Sequence, residues 1–241
     1  MCHMPARETT MPHVAFTHHQ IGIHPLKSEP VASEDIDRLA PLFDLSDLSD
    51  GERQRSLGLA RENLLARDGP EIRRTIRWRE AAAQVEDALT RLPPELVDAW
   101  VLAALTELYF FRGDMSRAAE TGLEVLRMES ARARARIQVL NPLGTAAYAA
   151  GRYSEAAKHF SELARMRQNA NDWFSLGMCE LKLQRDEAAL NSFRTALQFE
   201  LSSVPIRERM AEIYHSRRDF DAEMRLRDEI KRLTQAPRSS R

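Results

Sequence analysis

From residue 50 onward, apolar side chains recur at the spacing of a helix face, with polar side chains between them. This pattern is typical of amphipathic helices that bury one face. Short segments rich in Gly, Pro, Asn, Asp and Ser interrupt it, at 67–70, 91–96, 112–115, 168–172 and 201–205. No segment has the strict alternation of a half-buried strand. The pattern predicts an all-α chain with short turns between its helices.

The first helix is predicted to begin near residue 50, because Ser49 or Asp50 can cap it and Glu52 is nearby. Residues 1–34 hold four of the eleven prolines and show no helical period, so we predict a disordered N-terminal tail there. Residues 235–241 are predicted to form a second disordered tail.

The pattern also repeats along the chain. Aligning LGTAAYAAGRYSEAAKHFSELA (143–164) with LGMCELKLQRDEAALNSFRTAL (176–197) superimposes the two segments at an offset of 33 residues. A degenerate copy follows at an offset of 34 residues, and an earlier copy, RGDMSRAAETGLEVL, precedes at an offset of 38. Repeats of this length are typical of helix pairs that stack into a solenoid.

The repeated residue types have a physical role in such a stack. Small residues at Gly144 and Gly177 let the first helix of each pair approach the second closely, and Phe160 and Phe193 fill the space toward the next pair. Gly151 falls where a first helix ends, a position that favours a left-handed backbone. Because one pair alone buries too little apolar surface to be stable, the pairs are predicted to stack.

The run from Trp173 through Leu176 and Gly177 to Ala189 and Phe193 resembles the signature of the tetratricopeptide repeat family. This resemblance implies a right-handed superhelical solenoid of antiparallel helix pairs that binds other proteins. It divides the chain into an N-terminal helical region with a degenerate repeat (35–95) and a repeat array with a C-terminal capping helix (96–234). In the capping helix, the packed stripe is predicted to be Phe220, Met224 and Ile230.

A narrower resemblance concerns residues 148–193, which are similar to the central repeats of type III secretion translocator chaperones. The matching positions are Gly151, Tyr153, Ala156, Phe160, Leu163, Leu176, Gly177 and Cys179. Those chaperones are usually shorter and acidic, whereas this chain is near neutral and carries a long N-terminal extension. The resemblance implies a cytoplasmic chaperone that shields a hydrophobic segment of a secreted protein.

In tetratricopeptide arrays, the first helix of each pair lines the concave surface at fixed positions. Transferred to this chain, that rule predicts a groove that is apolar and aromatic in its middle, with a polar C-terminal end at Glu208, Glu212 and His215. Such a groove suits an extended or helical apolar segment of a partner protein. The predicted groove residues are Val101, Leu105, Asn141, Thr145, Tyr148, Asn171, Phe174, Met178, Leu181 and Lys182.

Charge and composition narrow the partner classes. The formal net charge is −1, so no overall field favours nucleic acid or an anionic membrane. Cys2 and Cys179 form no disulfide pattern, and no apolar run has the length of a signal-peptide core or a membrane span. We therefore expect a cytoplasmic protein that binds proteins, with a homodimer as a further option.

Candidate chemistry is sparse. No phosphate loop, zinc pattern, nucleophile elbow or paired-carboxylate motif occurs, so we predict no catalytic residue, no metal site, no cofactor and no enzyme activity. Five of the seven histidines lie in the first 24 residues, where a passive tail is favoured over a metal site. Cys179 is predicted to be a buried core residue rather than a nucleophile.

Three functions remain open from the sequence. The first is a scaffold that binds an apolar segment, most specifically a secretion chaperone. The second is a structural adaptor or regulatory subunit of a larger assembly, whose groove is filled by its own N-terminal helices (48–67) or by a second subunit. The third is a regulatory domain of a nucleic-acid-binding system.

Overall fold

The computed structural model describes residues 46–235, and within that range the backbone forms helices and turns without a strand. The histidines near the N-terminus and the predicted tails, except for Gln235, lie outside these residues. The helices are α1 (Asp50–Leu65), α2 (Pro70–Arg73), α3 (Ile76–Thr90), α4 (Ala99–Phe111), α5 (Met115–Arg127), α6 (Ala133–Ala149), α7 (Tyr153–Arg167), α8 (Ala170–Lys182), α9 (Asp186–Phe199), α10 (Val204–Ser216) and α11 (Phe220–Gln235).

The start of α1 has the capping chemistry expected from the sequence. The Ser49 hydroxyl accepts a hydrogen bond from the Glu52 amide, and the Glu52 carboxylate accepts one from the Ser49 amide at 2.9 Å. This reciprocal arrangement satisfies two donors that a helix start would otherwise leave unpaired. The predicted start of the first helix is confirmed.

Neighbouring helices pack as antiparallel hairpins, joined by one turn geometry that recurs in the last four of them. In each turn, one residue is left-handed, with φ between 59° and 81°, and the next amide donates to the carbonyl five residues earlier at 2.9 Å. This is the Schellman arrangement that ends many helices. The left-handed residues are Gly113, Gly151, Gln184 and Arg218.

The close approach predicted within each hairpin is confirmed. A Cβ atom added to Gly144 would lie 2.8 Å from the Phe160 ring, and one added to Gly177 would lie 2.5 Å from the Phe193 ring. Real Cβ atoms do not approach neighbours this closely. The two glycines therefore allow α6 to press on α7, and α8 on α9, at aromatic rings that are almost fully buried.

The core is a series of apolar clusters along the array, each drawn from adjacent hairpins. Leu65, Trp78 and Leu108 join α1, α3 and α4 at the N-terminal end. Further along, α4, α5 and α6 share one cluster, and α6, α7 and α8 share another. Phe193 belongs to the cluster that joins α9 to α10 and α11. The predicted all-α solenoid of stacked helix pairs is confirmed.

The packed face of α11 differs from the sequence prediction. Phe220 and Met224 are 55 % and 59 % exposed, whereas Ala222, Glu223 and Leu226 are buried. Glu223 lies on the inner face because its carboxylate pairs with His215 at 2.9 Å and with Arg227 at 2.7 Å. Phe220 and Met224 are therefore not on the face that docks on α10, whereas Ile230 is half-buried in line with Ala222 and Leu226.

Candidate functional site

A pocket of about 240 Å³ opens between α6 and α8. Four of the predicted groove residues, Thr145, Tyr148, Phe174 and Met178, lie together on its walls, and none of the four is fully buried. Their placement on two neighbouring first helices is the arrangement that the repeat predicted. We call this site the aromatic pocket.

The aromatic pocket has a rigid apolar floor. Phe160 of α7 forms part of its lining and is only 4 % exposed. The ring is held against Gly144, where no Cβ intervenes. The Phe174 ring lies 5.6 Å from the ring of Phe193, which is fully buried on α9 of the same hairpin. Because buried neighbours fix both rings, the pocket exists before any ligand enters, which lowers the entropy cost of binding.

Polar groups surround this floor without filling it. Thr145 and Ser175 place hydroxyl groups on the pocket wall, and burial raises the pKa of the Tyr148 phenol. Asn141 is half-buried and Asn171 is exposed, and within residues 46–235 neither side chain makes a hydrogen bond. Asn141 lies one helical turn before Thr145 on α6, and Asn171 lies one turn before Ser175 on α8, so both stand just outside the pocket lining.

The remaining C-terminal members of the predicted groove lie beyond the pocket. Leu181 packs against the cluster around Phe193 and is half-buried. Lys182 is exposed, and so are Glu208, Glu212 and His215 on α10. The structure thus places an apolar pocket beside a polar, charged end.

Val101 and Leu105 do not contribute to an open surface. They are 0 % and 5 % exposed and pack in the cluster that contains Leu65, Trp78 and Leu89. The helices α1 and α3 cover this part of α4, so no partner reaches these two side chains in this structure. Their assignment to the partner groove is corrected for this reason.

A pair of carboxyl groups, one buried and one half-buried, lies where α1 faces α4. Glu62 of α1 is 2 % exposed, and burial together with the nearby Glu107 of α4 raises its pKa to about 8. Burial also raises the pKa of Glu107, which accepts a hydrogen bond from Gln138 of α6. The contact between α1 and α4 therefore favours a protonated Glu62.

Sequence reasoning missed two pocket residues. Phe160 was assigned only to packing, yet its ring edge reaches the pocket between α6 and α8. The signal was available, because Gly144 on α6 allows that ring to pack directly against the helix whose next residues, Thr145 and Tyr148, line the pocket. Ser175 carried no signal, since a serine between Phe174 and Leu176 is typical of any solvated helix position.

Other candidate chemistry is limited within the described range. No group of three or more His, Cys, Asp or Glu side chains among residues 46–235 is arranged to hold a metal ion. Cys179 is fully buried, as predicted, and burial followed by the charge of Glu180 raises the pKa of its thiol to about 12. No helix in this range is both long and apolar enough to cross a bilayer.

The chain shares its fold with solved repeat proteins. MamA from Desulfovibrio magneticus RS-1 (residues 41 to the end) superimposes with a TM-score of 0.61 at 15 % identity, over 79 % of this chain and 99 % of that one. MamA of AMB-1 in the C2221 crystal form gives 0.61 at 18 % identity, over 76 % and 98 %. PilF of Pseudomonas aeruginosa gives 0.55 at 18 % identity, over 76 % and 78 %.

At these identities the likeness establishes the fold alone. No curated protein sequence matches the chain at a significant level. A family profile described as "Tetratricopeptide repeat" matches residues 141–203, which include the second half of α6 and all of α7, α8 and α9. The segment that builds the aromatic pocket therefore matches the tetratricopeptide repeat, within a chain that has the fold of a helical repeat solenoid.

Proposed function

We propose that this protein is an interaction scaffold that binds an apolar segment of a partner protein in the aromatic pocket. The observation that carries the proposal is the preformed pocket in which Tyr148, Phe174 and Met178 of the first helices α6 and α8 surround Phe160 of α7. Aromatic and methionine side chains offer large, adaptable contact areas, and such anchors carry much of the energy of protein interfaces.

The chemistry of the site also favours a particular kind of segment. A volume of about 240 Å³ is enough for one or two large apolar side chains rather than a folded domain. Asn141 and Asn171 would then bond to the backbone on either side of the inserted side chain. An extended or helical segment with a Leu, Ile, Met or Phe anchor fits these features best.

The narrower role of a secretion chaperone is one form of this proposal. It would require that the bound segment belong to a protein exported by a secretion system. None of the matching proteins named above supports that role. The proposal therefore concerns the kind of segment bound, an apolar one, and not the pathway to which its protein belongs.

A second candidate function is a structural adaptor whose groove is filled from within. The observation that favours it is the covering of Val101 and Leu105 by α1 and α3. Among residues 46–235, this internal cover ends before α6, because Tyr148, Phe174 and Met178 keep part of their surface exposed. The two functions therefore make different predictions at the aromatic pocket.

The double variant Tyr148→Ala with Phe174→Ala is expected to weaken partner binding at least about tenfold, because truncating two anchors removes most of the apolar contact. Co-purification of partners with the full chain from the native cell, followed by titration of the captured segment, measures this effect. The matched control is Phe199→Ala with Phe220→Ala, which truncates two aromatics that are 47 % and 55 % exposed elsewhere. Equal binding by wild type and by a folded double pocket variant would refute the proposal.

A further inference from the structure

A second pocket, of about 530 Å³, lies at the N-terminal end of the array, on the side of α2 and α3. It combines four guanidinium groups with aromatic side chains. The residues that matter are Arg73, Arg74, Arg79 and Arg112, around Trp78 and Phe111. We call it the arginine pocket.

The four arginines differ in whether a carboxylate of the described residues neutralises their positive charge. Arg112 forms an ion pair with Glu86. Arg74 pairs with Glu71 at 3.0 Å, but both side chains are largely exposed, so that pair contributes little. Arg79 makes no ion pair with any residue in the range 46–235. Arg74 and Arg79 therefore remain able to bind further carboxylates.

Arg73 forms part of the pocket wall in a fixed position. Its guanidinium carbon lies 3.5 Å from the centre of the Phe111 ring, and its NH2 group donates to the Ala66 carbonyl at 2.8 Å. Burial lowers the pKa of Arg73, although Asp68 and Glu107 act in the opposite direction. Its Nε atom is buried and has no hydrogen-bond partner in the described part of the chain. An added anion in this pocket would stabilise the charged form.

An acidic segment of the same chain lies within reach. The pocket adjoins the C-terminal end of α1, since Trp78 Nε1 donates to the Leu65 carbonyl at 3.4 Å. The 16 residues of α1 span about 24 Å. A chain running back from Ser46 along α1 at about 3.3 Å per residue covers that length in about seven to eight residues. It then arrives near residue 38.

The sequence at that distance is SEDID, residues 33–37. It places three carboxylates around one apolar side chain, Ile36. The pocket offers the complementary pattern of cationic groups around Trp78 and Phe111. Guanidinium groups bind carboxylates by charge-assisted hydrogen bonds, which are strong and also depend on the orientation of the two groups.

We propose that residues 34–37 of this chain dock in the arginine pocket, with their carboxylates on Arg74 and Arg79 and with Ile36 against the aromatic wall. The docked segment holds the N-terminal part of the chain along α1, at the covered end of the array. It leaves the aromatic pocket free. The inference does not depend on the proposed function.

Cleavage of the full chain by thermolysin tests the docking, because this protease cuts before Ile36 and Leu39. At low salt, the variant Arg74→Glu with Arg79→Glu is expected to be cut there about five- to tenfold faster than wild type, because several exposed charge pairs are lost. Mass spectrometry follows the rate at each bond. Raising the salt concentration is expected to bring wild type to the rate of the variant.

A charge exchange makes the test specific. Adding Glu34→Lys, Asp35→Lys and Asp37→Lys to the reversed pocket is expected to restore slow cleavage. The control variant Arg127→Glu with Arg225→Glu reverses two exposed arginines outside the pocket and is expected to match wild type. Equal rates in wild type and the reversed pocket would overturn the proposal, as would failure of the charge exchange to restore protection. Saturable binding of an added poly-glutamate peptide to wild type under protease-free conditions would assign the pocket to an external acidic partner instead.

Discussion

Replacing Phe193 by alanine is expected to lower the free energy of unfolding by about 3–5 kcal/mol, because the change leaves a cavity in a core that does not collapse to fill it. Phe193 is fully buried, fills the space left by Gly177 and supports the ring of Phe174 at 5.6 Å. The apolar contacts that the variant loses lie at the boundary between the α8–α9 and α10–α11 hairpins. Urea unfolding of the full chain, followed by circular dichroism, measures it.

Phe199→Ala is the matched control for this variant. Phe199 lies on the same helix, α9, but its side chain is 47 % exposed. Its truncation is therefore expected to cost less than about 1 kcal/mol. If the two variants lost similar amounts of stability, the packing of α8 on α9 through Gly177 and Phe193 would be wrong.

Raising the pH from 6.5 to 8 is expected to destabilise the folded chain by about 2 kcal/mol through Glu62. The pKa of Glu62 is about 8 in the folded chain, against 4.5 for an ordinary Glu. Between these values, the folded state keeps a proton that the unfolded state has lost. The stabilising contribution is thus complete below about pH 4.5 and is lost as the pH rises through 8. The raised pKa of Glu107 acts in the same direction.

The variant Glu62→Gln isolates this contribution, because glutamine keeps the shape of the protonated side chain but does not titrate. His159 has a pKa lowered by burial, which stabilises the fold as the pH rises and opposes Glu62 below about pH 6.5. Comparing wild type with Glu62→Gln at each pH cancels the contribution of His159. The urea midpoint of wild type is expected to fall relative to the variant from pH 5 to 8.5. Parallel profiles would contradict the burial of Glu62 between α1 and α4.

The repeat made much of the fold predictable from sequence. Gly144 and Gly177 predicted a close helix approach, which the structure shows against Phe160 and Phe193 of the same hairpins, and Gly151 predicted a left-handed turn. These signals are local and recur at a fixed offset, so each copy supports the others. The same register predicts that Tyr148 and Phe174 share one surface, and both line the aromatic pocket.

The N-terminal end could not be predicted in the same way. Val101 and Leu105 occupy the same repeat positions as the open groove residues, and only the packing of α1 and α3 on α4 distinguishes them. From the sequence, Glu62 is expected at the surface because it lies between Arg61 and Asn63, yet it is buried. Burial of this kind depends on contacts between helices far apart in sequence, which a single sequence does not reveal.

The prediction that Phe220 and Met224 pack on the inner face of α11 was wrong for a related reason. A helix at the end of an array has neighbours on one side only, so apolar side chains alone do not define its packed face. Here Ala222 and Leu226 form the packed face of α11, and Glu223 beside them pairs with His215 and Arg227.

A photo-crosslinking amino acid at position 175 tests most directly whether the aromatic pocket receives a segment of another protein. Ser175 lies on the pocket wall without packing in a core cluster, so its replacement leaves the hairpins intact. Irradiation in the native cell is predicted to join this position to an apolar segment of a different polypeptide. The same probe at Glu120, on the exposed side of α5, is predicted to give no such product. Crosslinks at position 175 that lead only to the protein's own N-terminal residues would contradict the account.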